Sequence, residues 1–96
     1  MKVRYSLVAI RDLEAISAYL TPRNPAAANT VIQAIEHRIS GLSHSPGMGP
    51  TTTLPGTREL TVRGYPYKVY YRVDGEEVRI IHIRHTSRRP WRGSED

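Results

Sequence analysis

The sequence has no cysteine, which excludes a disulfide framework, a thiolate nucleophile and a thiolate metal site. Secreted domains of this size often lean on disulfide staples, so a reducing, cytoplasmic setting is expected instead. No stretch approaches the roughly 20 apolar residues of a membrane-spanning helix. Met1-Lys2-Val3-Arg4-Tyr5 opens with positive charge as a signal peptide does, but Arg11, Asp12 and Glu14 interrupt the apolar region that would have to follow. No membrane partner is expected. Acidic residues are also the minority charge: nine Asp and Glu against 14 Lys and Arg leave a formal charge of +5 in a chain of 96 residues. That sign favours an acidic partner, whether nucleic acid, an acidic protein surface or anionic lipid. Its placement is uneven. Arg84, Arg88, Arg89 and Arg92 crowd together beside His85, whereas the first half carries scattered charges of both signs. The length allows one modest core, and a single domain over residues 1–91 is expected, with 92–96 as a frayed tail.

The order of elements is legible from periodicity. Val3 and Tyr5 alternate with Lys2 and Arg4 as in a half-buried strand. Ser6 then offers a hydroxyl cap to a helix whose apolar stripe runs Leu7, Ile10, Leu13, Ile16 and Leu20 before Thr21-Pro22 stops it. Asn24-Pro25 repeats the start signal, and Val31, Ile32, Ile35, Ile39 and Leu42 give a second stripe, so a two-helix hairpin is expected. Ser45-Pro46-Gly47-Met48-Gly49-Pro50 reads as a connector, because the lysine and hydroxyl pair of a phosphate-binding loop is missing.

From Arg58 onward the period becomes two. Leu60 and Val62 alternate with Glu59, Thr61 and Arg63, and Gly64-Tyr65-Pro66 turns the chain. Tyr67, Val69, Tyr71 and Val73 face one way; Lys68, Tyr70 and Arg72 face the other. Asp74-Gly75 marks a hairpin, and Val78 to Arg84 follows, with Ile80-Ile81 apolar on both sides as in a central strand. The expected fold class is α+β, in the order strand, helix, helix, strand, strand, strand, with both helices on one face of a mainly antiparallel sheet.

Candidate chemistry is sparse. His37, His44, His82 and His85 lack companions at ligand spacing, so no metal and no other cofactor is expected. His85 can titrate near neutrality and has Arg84 and Arg88 beside it, a pairing suited to RNA cleavage. Tyr67 and Tyr71 belong with the core. Tyr70 shares its face with Lys68 and Arg72, which makes it a candidate for a partner surface.

Several motifs in fixed order complete the pattern: Tyr5-Ser6 through Asp12-Leu13-Glu14 to Tyr19, Ser45-Pro46-x-x-Gly49, Arg58-Glu59-Leu60, Tyr67 through Val73, and Ile83-x-His85-x-x-Arg88-x-Pro90. Together they resemble the RelE/ParE superfamily of type II toxin–antitoxin toxins over nearly the whole chain. The resemblance implies a small bacterial toxin, linked to plasmid stabilisation and held inactive by a co-expressed antitoxin with an acidic wrapping segment. RelE-like members cut messenger RNA on the ribosome; ParE-like members poison DNA gyrase. Two lysines of the RelE-like set correspond to Glu59 and Thr61 here, an arginine to Lys68, and another arginine to Arg88. The RelE-like C-terminal tyrosine has no counterpart. Other RNA-cutting members use a glutamate, an arginine and a terminal histidine, matched by Glu59, Arg58 and His85. A ribosome-dependent nuclease would therefore rest on Arg58, Lys68, His85 and Arg88. The eroded cation set, the helical hairpin and the His-x-x-Arg-x-Pro ending favour the ParE branch, which implies a gyrase-binding toxin without chemistry of its own. Arg63, Tyr70, Arg72, Arg84, Arg88, Arg89 and Trp91 are then the expected surface for antitoxin or target. A third class, a basic module that binds nucleic acid through its phosphates, fits the charge alone.

Overall fold

The structure is a computed structural model that describes residues 1–93. It consists of strand β1 (Lys2–Tyr5), helices α1 (Leu7–Leu20) and α2 (Pro25–Ser40), a 3-10 turn (Gly41–Ser43), and strands β2 (Thr57–Val62), β3 (Tyr67–Asp74) and β4 (Glu77–His85). The expected order of elements is borne out. Both helix starts follow from their caps. The Ser6 hydroxyl oxygen accepts from the Ala9 amide at 3.0 Å, and Asn24 Oδ1 accepts from the Ala27 amide at 3.1 Å with Pro25 in the first turn. Ser6 also donates to the Ile81 carbonyl at 3.0 Å, so the same side chain that starts α1 fixes it to β4.

The sheet order is β1-β4-β3-β2, which makes β3 and β4 central as the doubly apolar Ile80-Ile81 pair suggested. β1 runs parallel to β4, and the other two pairings are antiparallel, so the sheet is mixed. Tyr71 pairs with Ile80 but Tyr70 pairs with His82, which leaves Ile81 as an extra residue in β4. This β-bulge resets the alternation. Val78 and Ile80 face the helices, and beyond the bulge Ile83 takes over that role. His82 and Arg84 are thereby turned to the face of the sheet away from the helices.

The core joins Ala9, Val31, Ile35, Ile39 and Leu42 of the helical layer to Leu60, Val69, Tyr71 and Ile80 of the sheet. The α1 stripe differs from the expected one. Leu7 is 60% exposed and Ile10 43% exposed, whereas Ala9 is fully buried. α1 packs through the row Ala9, Leu13, Ile16 and Leu20, spaced four, three and four, because the cap at Ser6 fixes the rotation of the first turn against β4.

The connector before β2 is held by one buried tyrosine. The Tyr71 hydroxyl accepts from the Gly49 amide at 2.9 Å and donates to the Pro46 carbonyl at 2.8 Å. A Cβ at Gly49 would stand 2.7 Å from the Glu59 carbonyl oxygen, so only glycine fits there. Asp74-Gly75 forms the expected hairpin, with Gly75 at φ 62. Among the described residues no helix is long and apolar enough to cross a membrane. The expected frayed segment 92–96 lies, from Ser94 onward, outside the described residues.

Candidate functional site

β4 ends at His85, and the chain then folds back across the helix-free face. The Thr86 amide donates to the Pro66 carbonyl at 2.8 Å, and the Arg88 amide closes a turn on the His85 carbonyl at 3.1 Å. The returning segment is fastened twice more. Arg84 Nη2 donates to the Arg89 carbonyl at 3.1 Å, and the Trp91 amide donates to the Tyr70 hydroxyl at 3.3 Å. The Trp91 ring meets Tyr70 and His82 edge to face, at centroid distances of 5.5 and 5.6 Å.

Below Trp91, His82 Nδ1 lies 2.5 Å from Asp12 Oδ2, and the Ile83 amide donates to the same oxygen at 2.8 Å. A single carboxylate on α1 thus holds both the edge of β4 and the ring on which the tail rests. This clasp was not foreseen: Asp12 and His82 are 70 residues apart and neither lies in a recognisable catalytic or ligand spacing. The one signal pointing to it was Asp12 within the Asp12-Leu13-Glu14 motif.

The fold-back encloses a cleft of about 710 Å³ lined by Arg84, Ser87, Arg88, Arg89, Trp91 and Arg92 among others. Two expected surface residues are corrected by it. Tyr70 was expected on an exposed partner surface but is only 2% exposed, because Trp91 and the tail cover it. Arg84 is 6% exposed and fastens the tail through the Arg89 carbonyl. Arg88, Arg89 and Arg92 remain exposed around the cleft, and Trp91 is half-buried within it.

On the helical side, a second hollow of about 530 Å³ is floored by Ile16, Leu20, Tyr67 and Ile83 and rimmed by His85 and Arg88. It is an apolar groove with basic residues at one end. Burial raises the pKa of the Tyr67 hydroxyl above its ordinary value, with a smaller contribution from Tyr19.

The residues of the RNA-cleaving set are not gathered. Arg58 Nη1 donates to the Gly49 carbonyl at 2.8 Å and so braces the connector. Lys68, on the helix-free face, forms an ion pair with Glu59 at 3.2 Å. His85 packs its ring against Tyr67 at 5.3 Å, and its Nδ1 accepts from the Ser87 amide at 3.1 Å. Arg58 pairs with Tyr71 while His85 pairs with Tyr67 on the far side of β3. Four residues along the strands and two strand spacings across separate their Cα atoms by about 16 Å. Only His85 and Arg88 meet, as joint rim of the apolar groove. Of the remaining expected surface residues, Arg63 is exposed at the β2–β3 turn, and exposed Arg72 donates from Nε to the Thr57 hydroxyl at 3.1 Å. Among the described residues no three His, Asp or Glu side chains assemble as a metal would require.

Comparison with known proteins agrees with this architecture. The family described as ParE toxin of type II toxin–antitoxin system, parDE, matches residues 3–90. The chain is 32% identical over 84 residues to the putative toxin Y4kP of Sinorhizobium fredii, covering 88% of this chain and 86% of that protein. Among solved structures, it is similar to a chain of the chromosomal ParDE system from P. aeruginosa, with a TM-score of 0.80 at 28% identity, covering 88% of this chain and 95% of that one. It is also similar to a chain of the toxin–antitoxin complex RelBE2 from Mycobacterium tuberculosis, with a TM-score of 0.64 at 30% identity and the same coverage, 88% and 95%.

Proposed function

The chain belongs to the ParE family of type II toxin–antitoxin toxins, and from that premise we propose that it acts by binding and poisoning DNA gyrase, without chemistry of its own, and that a cognate antitoxin neutralises it. The observation that carries the choice of target class is the dispersal of the cleavage set. RNA cleavage needs cations converging on one phosphate and groups that move protons to and from it. Here Lys68 is neutralised by Glu59, Arg58 is committed to the connector, and His85 stands on the other face of the sheet from Lys68. What survives is a surface: Arg88, Arg89 and Arg92 on a folded-back tail beside an apolar groove.

Both solved relatives come from toxin–antitoxin systems, which supports an antitoxin partner for this chain. A partner with an acidic, amphipathic segment suits the groove. Apolar side chains would enter between Ile16, Leu20, Tyr67 and Ile83, and carboxylates would meet His85 and Arg88 at the rim. Arg63 and Arg72 extend the basic surface along the sheet. Purified toxin should inhibit supercoiling or trap cleaved DNA on gyrase, and added antitoxin should reverse the effect. Gyrase that works normally in toxin excess would overturn the proposal.

One contact favours a second reading, a ribosome-dependent cutter of messenger RNA: His85 and Arg88 share the groove rim, an acid–base group beside a phosphate-binding one. Under that reading, translating ribosomes with toxin yield cut messages, and His85→Ala and Arg88→Ala each abolish cutting. Cleavage that survives both substitutions would remove it.

A further inference from the structure

We propose that the hollow between the end of α2 and the β2–β3 turn is a phosphate-binding site, with His37, Arg38 and Arg63 as its contact residues. The hollow has a volume of about 340 Å³, and its remaining lining residues are Ala34 and Val62. It shares no lining residue with the tail cleft or the apolar groove, so the proposal stands whether or not the chain poisons gyrase.

The three side chains converge from two elements. His37 and Arg38 occupy the last turn of α2, where the helix dipole favours positive charge, so those two have a structural reason to be basic. Arg63 has no reason of that kind. It comes from the β2–β3 turn, where the Tyr65 amide donates to the Val62 carbonyl at 3.1 Å and Gly64 takes φ 86. The turn fixes the Arg63 backbone, and its exposed side chain makes no hydrogen bond or ion pair among the described residues. Arg38 is held by two bonds, from Nε to the Thr61 carbonyl at 3.1 Å and from Nη1 to Met48 Sδ at 3.3 Å, which leave Nη2 unbonded. Thr61 and Arg63 are two residues apart, about 7 Å in extended backbone. The held guanidinium and the unbonded one thus line the same hollow.

Among the described residues no carboxylate lines the hollow, and no acid forms an ion pair with His37, Arg38 or Arg63. Basic groups gathered on one hollow repel each other, and an anion placed between them removes that repulsion. Arginine offers a planar fork that suits phosphate oxygens.

The surroundings favour phosphate over an acidic protein segment. A protein strand added here would pair with β2, which is an edge strand, but the outward groups of that edge are already bonded. The Thr57 carbonyl accepts from the Thr52 amide at 3.0 Å, the Glu59 amide donates to the Pro50 carbonyl at 2.9 Å, and the Thr61 carbonyl accepts from Arg38. Protein partners also draw most of their affinity from apolar and aromatic anchors, and the hollow offers only Ala34 and buried Val62. Phosphate contacts need only spaced donors. The phosphate group can belong to a nucleic-acid backbone or to a small phosphate compound, and the test separates the two sources.

The intact chain is titrated with pyrophosphate, followed by the His37 ring signals in NMR spectra, and separately with a short labelled DNA duplex, followed by anisotropy across a salt series. Pyrophosphate should shift the His37 signals saturably. R63Q should weaken that binding about tenfold, the loss of one charge-assisted hydrogen bond. R63K should recover only part of it, and R79Q, whose guanidinium pairs with Glu77 at 3.7 Å on β4, should match the parent. Urea midpoints check that each variant is folded. Duplex binding whose slope of log affinity against log salt falls by about 0.9 in R63Q assigns the site to a nucleic-acid backbone. Pyrophosphate binding through Arg63 without that change assigns it to a small phosphate compound, and either outcome upholds the site. No shift at low salt, a pyrophosphate affinity unchanged in R63Q, or a polyglutamate peptide that binds as tightly through Arg63 would overturn the proposal.

Discussion

Replacing Asp12 by alanine tests the clasp between α1 and the tail. Asp12 Oδ2 accepts from the Ile83 amide at 2.8 Å and lies 2.5 Å from His82 Nδ1. The two side chains are 20% and 10% exposed, so water can only partly replace what is lost. Hydrogen bonds to a charged group contribute about 1.5–3 kcal/mol each. Losing both, with partial rescue by water, should cost about 3 kcal/mol. With a urea slope near 1.5 kcal/mol/M for a small domain, the unfolding midpoint should fall by about 2 M. Asp12→Asn keeps one oxygen for the Ile83 amide and should lose about half as much. The chain has a single tryptophan, Trp91, so its fluorescence reports the tail directly. In Asp12→Ala the native emission should shift to the red before global unfolding begins. A midpoint shift below about 0.5 M would refute the energetic estimate, since the cited bonds would then be replaced by water at almost no cost. A lowered midpoint with unshifted emission would show that Asp12 secures β4 alone and that nothing passes through His82 to the tail.

Other consequences are as direct. Gly49→Ala should destabilise by about 2 kcal/mol in urea unfolding, because its Cβ would meet the Glu59 carbonyl at 2.7 Å and the Tyr71 hydroxyl at 3.0 Å, both held in place. Leu7→Gln and Ile10→Gln should each change stability by less than about 0.5 kcal/mol, as surface substitutions do; a loss typical of a core position would place them in the core after all. Burial, assisted by the charge of Glu36, raises the Tyr5 pKa above 10.0, and burial, assisted by Tyr19, does the same for Tyr67. Their neutral forms therefore support the fold fully below about pH 10, and that support is lost as pH climbs through the raised values. Urea midpoints measured at rising alkaline pH should fall, and Tyr5→Phe combined with Tyr67→Phe should flatten the decline.

The elements were legible in the sequence because each carries its own local signal: Ser6 and Asn24 as caps, a change of period at Arg58, Asp74-Gly75 as a hairpin. Rotation of an element about its own axis was not equally legible. α1 carries Leu7, Val8, Ile10, Leu13 and Ile16, more apolar residues than one face can hold, so hydrophobicity alone does not choose among faces. Small, fully buried Ala9 marks the true one. In β4 the bulge at Ile81 resets the alternation, and no residue type announces it. Counting by twos from Ile80 would place His82 and Arg84 in the core beneath the helices. The bulge sends them to the opposite face, where the clasp and the tail are built.

The arginine cluster shows why composition located the site but not its construction. In the sequence Arg84, Arg88, Arg89 and Arg92 are equivalent charges facing an acidic partner. In the fold they divide. Arg84 spends its guanidinium on the Arg89 carbonyl within the chain, while the other three stand exposed around the cleft. Tyr70 and Trp91, both expected to meet a partner, also meet each other and support the arginines from below. The difference has a thermodynamic meaning. A frayed basic tail would have to order itself at each encounter, whereas a tail fixed by Tyr70, His82 and Arg84 presents its charges already spaced. Removing the Trp91 ring should therefore weaken anion binding even though no charge is lost. Trp91→Ala and the parent chain, each titrated with inorganic polyphosphate at matched salt, measure that contribution. Equal affinities would mean that the arginines act by charge alone.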